Sequence, residues 1–312
     1  MGKSIHQRSA STSRKVRWLL TLLFFFGAFS GIALPSRQQA EAKAKPKVVP
    51  KVETAPVPHS GDAADDSAVW VHPTDTALST VIGTDKQGGL AVYNLDGTQI
   101  QYLPDGELNN VDLRYNFSLG KARVALVPVT NRTDDSILFY AVNPTTRLLE
   151  RVSANTDGAG INVYGLCMYK SPKTGSSYIF VTSDNQGTVQ QWQVFDNGTG
   201  KVEKSLVRTL SLSSPAEGCV ADEDYGTVYV GEEDVAIWKF RAEPHASPVG
   251  TQVASVSEHG PLQADIEGLT LYRTSKPRAI CWLPARAAIA TPCLIGYQTN
   301  IKARLRLMQA TA

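Results

Sequence analysis

The sequence predicts an all-β fold assembled from a repeated four-stranded unit, and three observations predict it. From Gly61 onward no stretch keeps a helical apolar period; short Val-, Ile-, Tyr- and Trp-rich runs alternate with Gly, Asn and Asp turns. One run recurs as GLAVYNLDG (89–97), SILFYAVNP (136–144), TVQQWQVFD (188–196) and VAIWKFRAE (235–243), its aromatic falling at Tyr93, Tyr140, Trp192 and Trp238, spaced 47, 52 and 46 residues apart. Each recurrence follows two further β runs of constant character. A period near 50 residues with about four strands per unit is that of a β-propeller, in which each blade buries a sheet face against the next.

In chain order, residues 1–17 carry five Lys/Arg and no acid, and Trp18 to Leu34 then runs apolar with Thr21 and Ser30 as polar interruptions. This is the layout of a secretory signal, and Ala40-Glu41-Ala42 offers a small-x-small cleavage site. Residues 1–42 are therefore read as a signal peptide, with an N-terminal anchor as the rival. Either reading puts the body outside the cytoplasm, secreted or periplasmic; signal cleavage would leave no stable membrane association. Residues 43–58 are Pro- and Lys-rich and read as a linker. The propeller is expected over 59–272. Its units open on DDSAVWVH, NNVDLRY, VYGLCMY and EGCVADE and continue through VIGTDK, ALVPVTNR, IFVTSDN and VYVGEED. ADIEGLTLY (264–272) is a fifth opening. Four full blades plus the first strand of a fifth are expected.

The formal charge of +2 is unevenly distributed. Residues 43–272 carry 18 Lys/Arg against 28 Asp/Glu, while 273–312 carry seven Lys/Arg and no acid. An acidic body argues against a nucleic-acid partner, whose footprint is basic, and suits a protein that holds cations. The four cysteines (Cys167, Cys219, Cys281, Cys293) match no zinc spacing. Cys167 and Cys219 occupy equivalent first-strand places in blades three and four and are expected as buried free thiols.

In an antiparallel blade, the start of the inner strand and the turn between strands two and three lie at the same end. The polar residues of the repeat collect there: Asp65, Asp66, Asp112, Glu217, Asp265 and Glu267 at strand starts, Lys86, Arg132, Glu232 and Glu233 at turns. Hard oxygen donors in that number suit Ca²⁺, and clustered carboxylates repel unless a cation neutralises them. A calcium-loaded mouth accepts polyanions, Lys86 and Arg132 can contact phosphate directly, and metal-held water has a lowered pKa. Metal-assisted phosphomonoester hydrolysis is the expected chemistry; a non-catalytic calcium- or polyanion-binding propeller is the alternative. Other chemistries lack their parts: there is no HExxH, no GxSxG and no Arg-His pair. The scattered His6, His59, His72, His245 and His259 are assigned no catalytic role.

The stretches DAADDSAVWVHP (62–73), TDKQGGLAVYNLDG (84–97), NNVDLRYNF (109–117), TNR (130–132), YGLCMY (164–169), EGCVADEDYGTVYVGEEDVAIWKF (217–240) and DIEGLTLY (265–272) resemble the β-propeller phytases. The resemblance implies a six-bladed propeller of the 3-phytase type that removes phosphates from myo-inositol hexakisphosphate. It further implies dependence on several Ca²⁺ ions, phytate taken as its calcium complex, and a monomer. Residue by residue, Asp65, Glu217, Glu233 and Glu267 resemble the catalytic calcium ligands, and Asp66, Asp112 and Asp265 the neighbouring metal-binding acids. Lys86, Arg132 and Tyr164 resemble the residues that contact substrate phosphates. Gln87 and Asn185 stand where some members carry lysines, so phosphate binding is expected to rest on fewer cations.

Residues 273–312 match no blade and read as a non-homologous tail, with a frameshift near Arg273 as the expected origin and a divergent ending as the alternative. Four and a half blades would leave two flanks open, so the chain is expected to be poorly folded or inactive.

Overall fold

The computed structural model of the chain describes residues 51–257 and 262–272, together with the backbone of 279–284 and 293–295. The expected signal peptide, linker residues 43–50 and the remainder of the expected tail lie outside the described residues.

Blade one is the meander β1 (Ala64–Trp70), β2 (Thr80–Asp85), β3 (Gly89–Asn94) and β4 (Gln99–Leu103), with a single 3-10 turn, Thr76–Leu78, between its first two strands. In blade two, β5 (Leu108–Val111) and β6 (Arg114–Leu119) both pair with β7 (Ala122–Asn131), so they are two halves of one inner strand; β8 (Ser136–Val142) and β9 (Leu149–Arg151) complete it. Blade three is β10 (Val163–Lys170), β11 (Ser177–Ser183), β12 (Thr188–Asp196) and β13 (Val202–Ser211). Blade four is β14 (Ala216–Asp222), β15 (Thr227–Glu232), β16 (Ala236–Arg241) and β17 (Thr251–Ser255). All pairings are antiparallel, and Tyr93, Tyr140, Trp192 and Trp238 fall on the third strand of their blades. The fifth unit goes further than the single strand expected. On β18 (Ile266–Tyr272) pair β19 (Ala279–Pro284) and then β20 (Cys293–Ile295).

The core lies between blades, and strand alternation explains it. In β8 every residue is buried: Leu138 and Tyr140 join Trp70, Leu90 and Val92 of blade one, while Ile137 and Phe139 join Met168, Ile179 and Val181 of blade three. Successive side chains point to opposite faces, so a strand sandwiched between two blades reads as an unbroken apolar run. The same logic puts Tyr169, Tyr178 and Phe180 against Val228, Val230 and Phe240 between blades three and four. Each such side chain contributes roughly 1.5–3 kcal/mol on burial. The inner strands β1, β5, β10, β14 and β18 thereby pack one against the next.

One expectation is overturned here. Cys167 and Cys219 are not free thiols but form a disulfide between β10 and β14, with Cα atoms 5.6 Å apart. They are not equivalent in the repeat: with Tyr164-Gly165 matching Glu217-Gly218, Cys219 takes the place of Leu166 and Cys167 that of Val220. Successive side chains point to opposite faces, so this one-residue offset turns Cys167 towards blade four and Cys219 towards blade three, and they meet at a distance that a disulfide spans.

Candidate active site

Every inner strand slips by one residue against its partner at the same place: between Ala64 and Ser67, Leu108 and Val111, Val163 and Leu166, Ala216 and Cys219, and Ile266 and Leu269. Inside these shifts sit Asp65-Asp66, Asn109-Asn110, Tyr164-Gly165, Glu217-Gly218 and Glu267-Gly268. A β-bulge re-aims its side chains off the strand's alternation. It is this device, repeated five times, that carries Asp65, Asn109, Tyr164, Glu217 and Glu267 to one mouth. Glycine in the second place lets the inner strands close in: a Cβ on Gly165 would overlap the Glu217 carbonyl oxygen, and one on Gly218 that of Glu267.

The opposite wall comes from the turns after the second strands. Ala64 pairs with Asp85, Leu108 with Asn131, Val163 with Ser183 and Ala216 with Glu232, so the next residues, Lys86, Arg132, Asp184 and Glu233, face the bulges. Lys86 Nζ donates to Asp65 and pairs with Asp62, both at 3.0 Å. Burial alone would lower the Lys86 ammonium, but hydrogen bonds to Asp65 and Asp62 outweigh it and hold it above the ordinary lysine value. The Arg132 guanidinium lies over the Tyr164 ring, 5.3 Å from its centroid, and donates to Asn109 Oδ1 (3.3 Å) and Asp184 Oδ2 (3.1 Å).

Glu217 is 5% exposed. Burial, then the charges of Asp65, Glu267 and Glu233, push its carboxyl up to about 8, against the pull of a 3.0 Å hydrogen bond from Asn109 Nδ2. Glu233 and Glu267 are raised too, by burial first and then by Asp265. The Tyr164 hydroxyl is driven far above an ordinary tyrosine by burial and by Glu217, Glu233 and Asp65. Asp265, in the left-handed region at φ 70, donates its backbone N–H to the Glu233 carbonyl and so joins the mouth.

Two of the predicted acids also tie neighbouring blades together. Asp66 accepts from Ser67 N–H (2.8 Å), Val111 N–H (3.0 Å) and Asn110 Nδ2 (3.3 Å), tying blade one to blade two, and burial pushes it up to about 7. Asp112 accepts from Arg114 (2.9 Å) and from Met168 N–H (2.8 Å), tying blade two to blade three. Both are engaged as blade ties. The blade-two counterpart of Asp65 is instead Asn109, which sequence reasoning passed over. Its signal was present: NNV stands at the head of its β run where blade one has DDS.

Also missed were three threonines at one place in the repeat. Thr130 accepts from Asn110 N–H and donates to the Tyr164 carbonyl, Thr182 accepts from Gly165 N–H and donates to the Glu217 carbonyl, and Thr84 bonds both N–H and carbonyl of Asp66. Thr130 and Thr182 thereby fix one blade's bulge against the next, and Thr84 fixes the bulge of its own blade.

The donor set is chemically that of a hard cation: acidic, all-oxygen, mutually repelling, with Glu233 Oε1 buried and without a hydrogen-bond partner. Among the described residues, no three acids are gathered tightly enough around one point to hold an ion by themselves. The fit to Ca²⁺ is thus one of donor chemistry.

A family model described as Phytase matches residues 15–282. The 3-phytase of Bacillus subtilis (strain 168) is 42% identical over 231 residues, which cover 72% of this chain and 60% of that protein. The chain spans about 60% of the length of this curated relative.

Proposed function

We propose, since the chain belongs to the phytase family, that its mouth releases phosphate from myo-inositol hexakisphosphate in a Ca²⁺-dependent reaction. The observation that carries this reading is Glu217. An acid pushed up to about 8 by its burial first and then by three other acids shares its mouth with Lys86 and with an Arg132 stacked on Tyr164. Such a site carries more negative charge than it can ionise unaided, beside two cations suited to phosphate.

Asp65, Glu217, Glu233 and Glu267 would hold Ca²⁺, with Asp265 beside them. Bound there, Ca²⁺ would supply the missing positive charge and lower the pKa of a nearby water, the nucleophile that phosphomonoester hydrolysis needs. The protein's own part is to bind and orient. Arg132 presents a planar fork to phosphate oxygens, held in plane by Tyr164, Asn109 and Asp184. Lys86 adds a point charge at the blade-one side, and Tyr164 stays protonated and able to donate. Gln87 and Asn185 add no charge: Gln87 Nε2 donates to the carbonyls of Ser60 and Asp62, and Asn185 Nδ2 to Asn162 Oδ1. Phosphate capture therefore rests on Lys86 and Arg132. The reading extends to an exported, monomeric enzyme that takes phytate as its calcium complex.

The test is phosphate release from phytate by the purified chain, with Ca²⁺ and then with chelator. Calcium-dependent release supports the reading. Phytate retained without release replaces it with the non-catalytic binder, and neither release nor retention overturns both.

A further inference from the structure

We infer that Asn109 is a positioning residue that holds the Arg132 guanidinium and the Glu217 carboxylate in one fixed arrangement. The inference rests on the phosphate-releasing reading above and deepens it. Asn109 is fully buried on β5, inside the bulge of blade two. Its Nδ2 donates to Glu217 Oε1 (3.0 Å), which belongs to blade four, and to Asn110 Oδ1 (2.6 Å). Its Oδ1 accepts from Arg132 Nη1 (3.3 Å) on the turn after β7.

Both amide hydrogens and the carbonyl oxygen are thereby engaged. The direction of the amide is set by its neighbours, since a flipped group would face oxygen to carboxylate and N–H to guanidinium. A carboxamide is a neutral side chain able to satisfy an anion on one side and a cation on the other. An aspartate, which blade one carries at the same place (Asp65), would serve Arg132 and repel Glu217. A leucine would serve neither, leaving the buried Glu217 carboxyl short of a donor and the solvent-reaching Arg132 guanidinium without its brace from Asn109. Asn110 extends the chain to Asp66 Oδ2 (3.3 Å), so the amide is itself braced from blade one.

The two substitutions separate the roles. With Ca²⁺ and phytate, Asn109→Asp keeps the Arg132 acceptor and loses the donor to Glu217. The expected result is KM within about threefold of the unsubstituted chain and kcat lower by about tenfold or more. Asn109→Leu loses both, so KM rises and kcat falls. A space-filling role would instead leave both constants within about twofold, or lower activity in both variants only in step with the folded fraction measured by thermal melting. Either of these outcomes overturns the inference.

If the unsubstituted chain releases no phosphate, the phytase reading fails separately, and Asn109 is judged by calorimetric titration with inorganic phosphate. Equal binding by the unsubstituted chain and Asn109→Asp, with about tenfold weaker binding by Asn109→Leu, then supports positioning of Arg132. Equal binding by all three, or no binding by any, overturns it.

Discussion

Raising the pH of the metal-free chain perturbs the mouth through Glu217. Its carboxyl is 5% exposed and sits at about 8 in the folded chain, against an ordinary value of 4.5. Across that window the folded state keeps a proton that the unfolded chain has already released. Stability therefore falls as pH rises, by up to ~1.4 kcal/mol per unit. Integrated over the shift, the loss reaches about 5 kcal/mol at and above the folded value, comparable with the lower end of the ~5–15 kcal/mol that holds a typical domain. Asp66, raised to about 7, acts in the same direction from its own ordinary value of 3.8 upward. The assay is the urea midpoint between about pH 5 and 9 in chelator, for the unsubstituted chain and Glu217→Gln, repeated in Ca²⁺. In chelator the midpoint should fall with pH, and Glu217→Gln, which has no proton to lose there, should fall less steeply. Calcium should flatten the curve by replacing the proton as the neutralising charge. A chelated midpoint that is level or rises between pH 5 and 8 refutes the reasoning.

Three further outcomes follow from the geometry. The Cys167–Cys219 bridge closes a loop with a sequence separation of 52, so reducing it costs about 4 kcal/mol in the chain-entropy account; a melting temperature indifferent to reductant would contradict this. Gly218→Ala drives a Cβ into the Glu267 carbonyl, backbone against backbone, so it should lower both the melting temperature and calcium-dependent phosphate release; an unchanged variant would show that the inner strands have room to part. Arg132→Lys keeps the charge but loses the fork and the stack on Tyr164, and should raise the KM for phytate on the order of tenfold; an unaltered KM would mean that a point charge suffices.

Periodicity and patterning were enough to read the blades. Tyr140, Trp192 and Trp238 recur because each packs into the interface with the blade before its own, and the apolar run from Ile137 to Val142 in β8 betrays burial on both faces. The acids at the strand starts were also legible, because in an antiparallel blade those starts and the second turns share an end. What local pattern could not show is which side chain a bulge turns into the mouth. Asp66 and Asp112 look like mouth acids in the sequence, and the structure adds that one oxygen of each accepts a backbone N–H from the next blade, while Asn109 bridges Glu217 and Arg132.

The disulfide makes the same point. Two cysteines 52 residues apart become neighbours only when blade three packs on blade four. Strand identity, burial and charge are properties of short segments, so the chain alone determined them. Partnership across blades depends on a rotation shared by all of them, and only the assembled tertiary structure decides it.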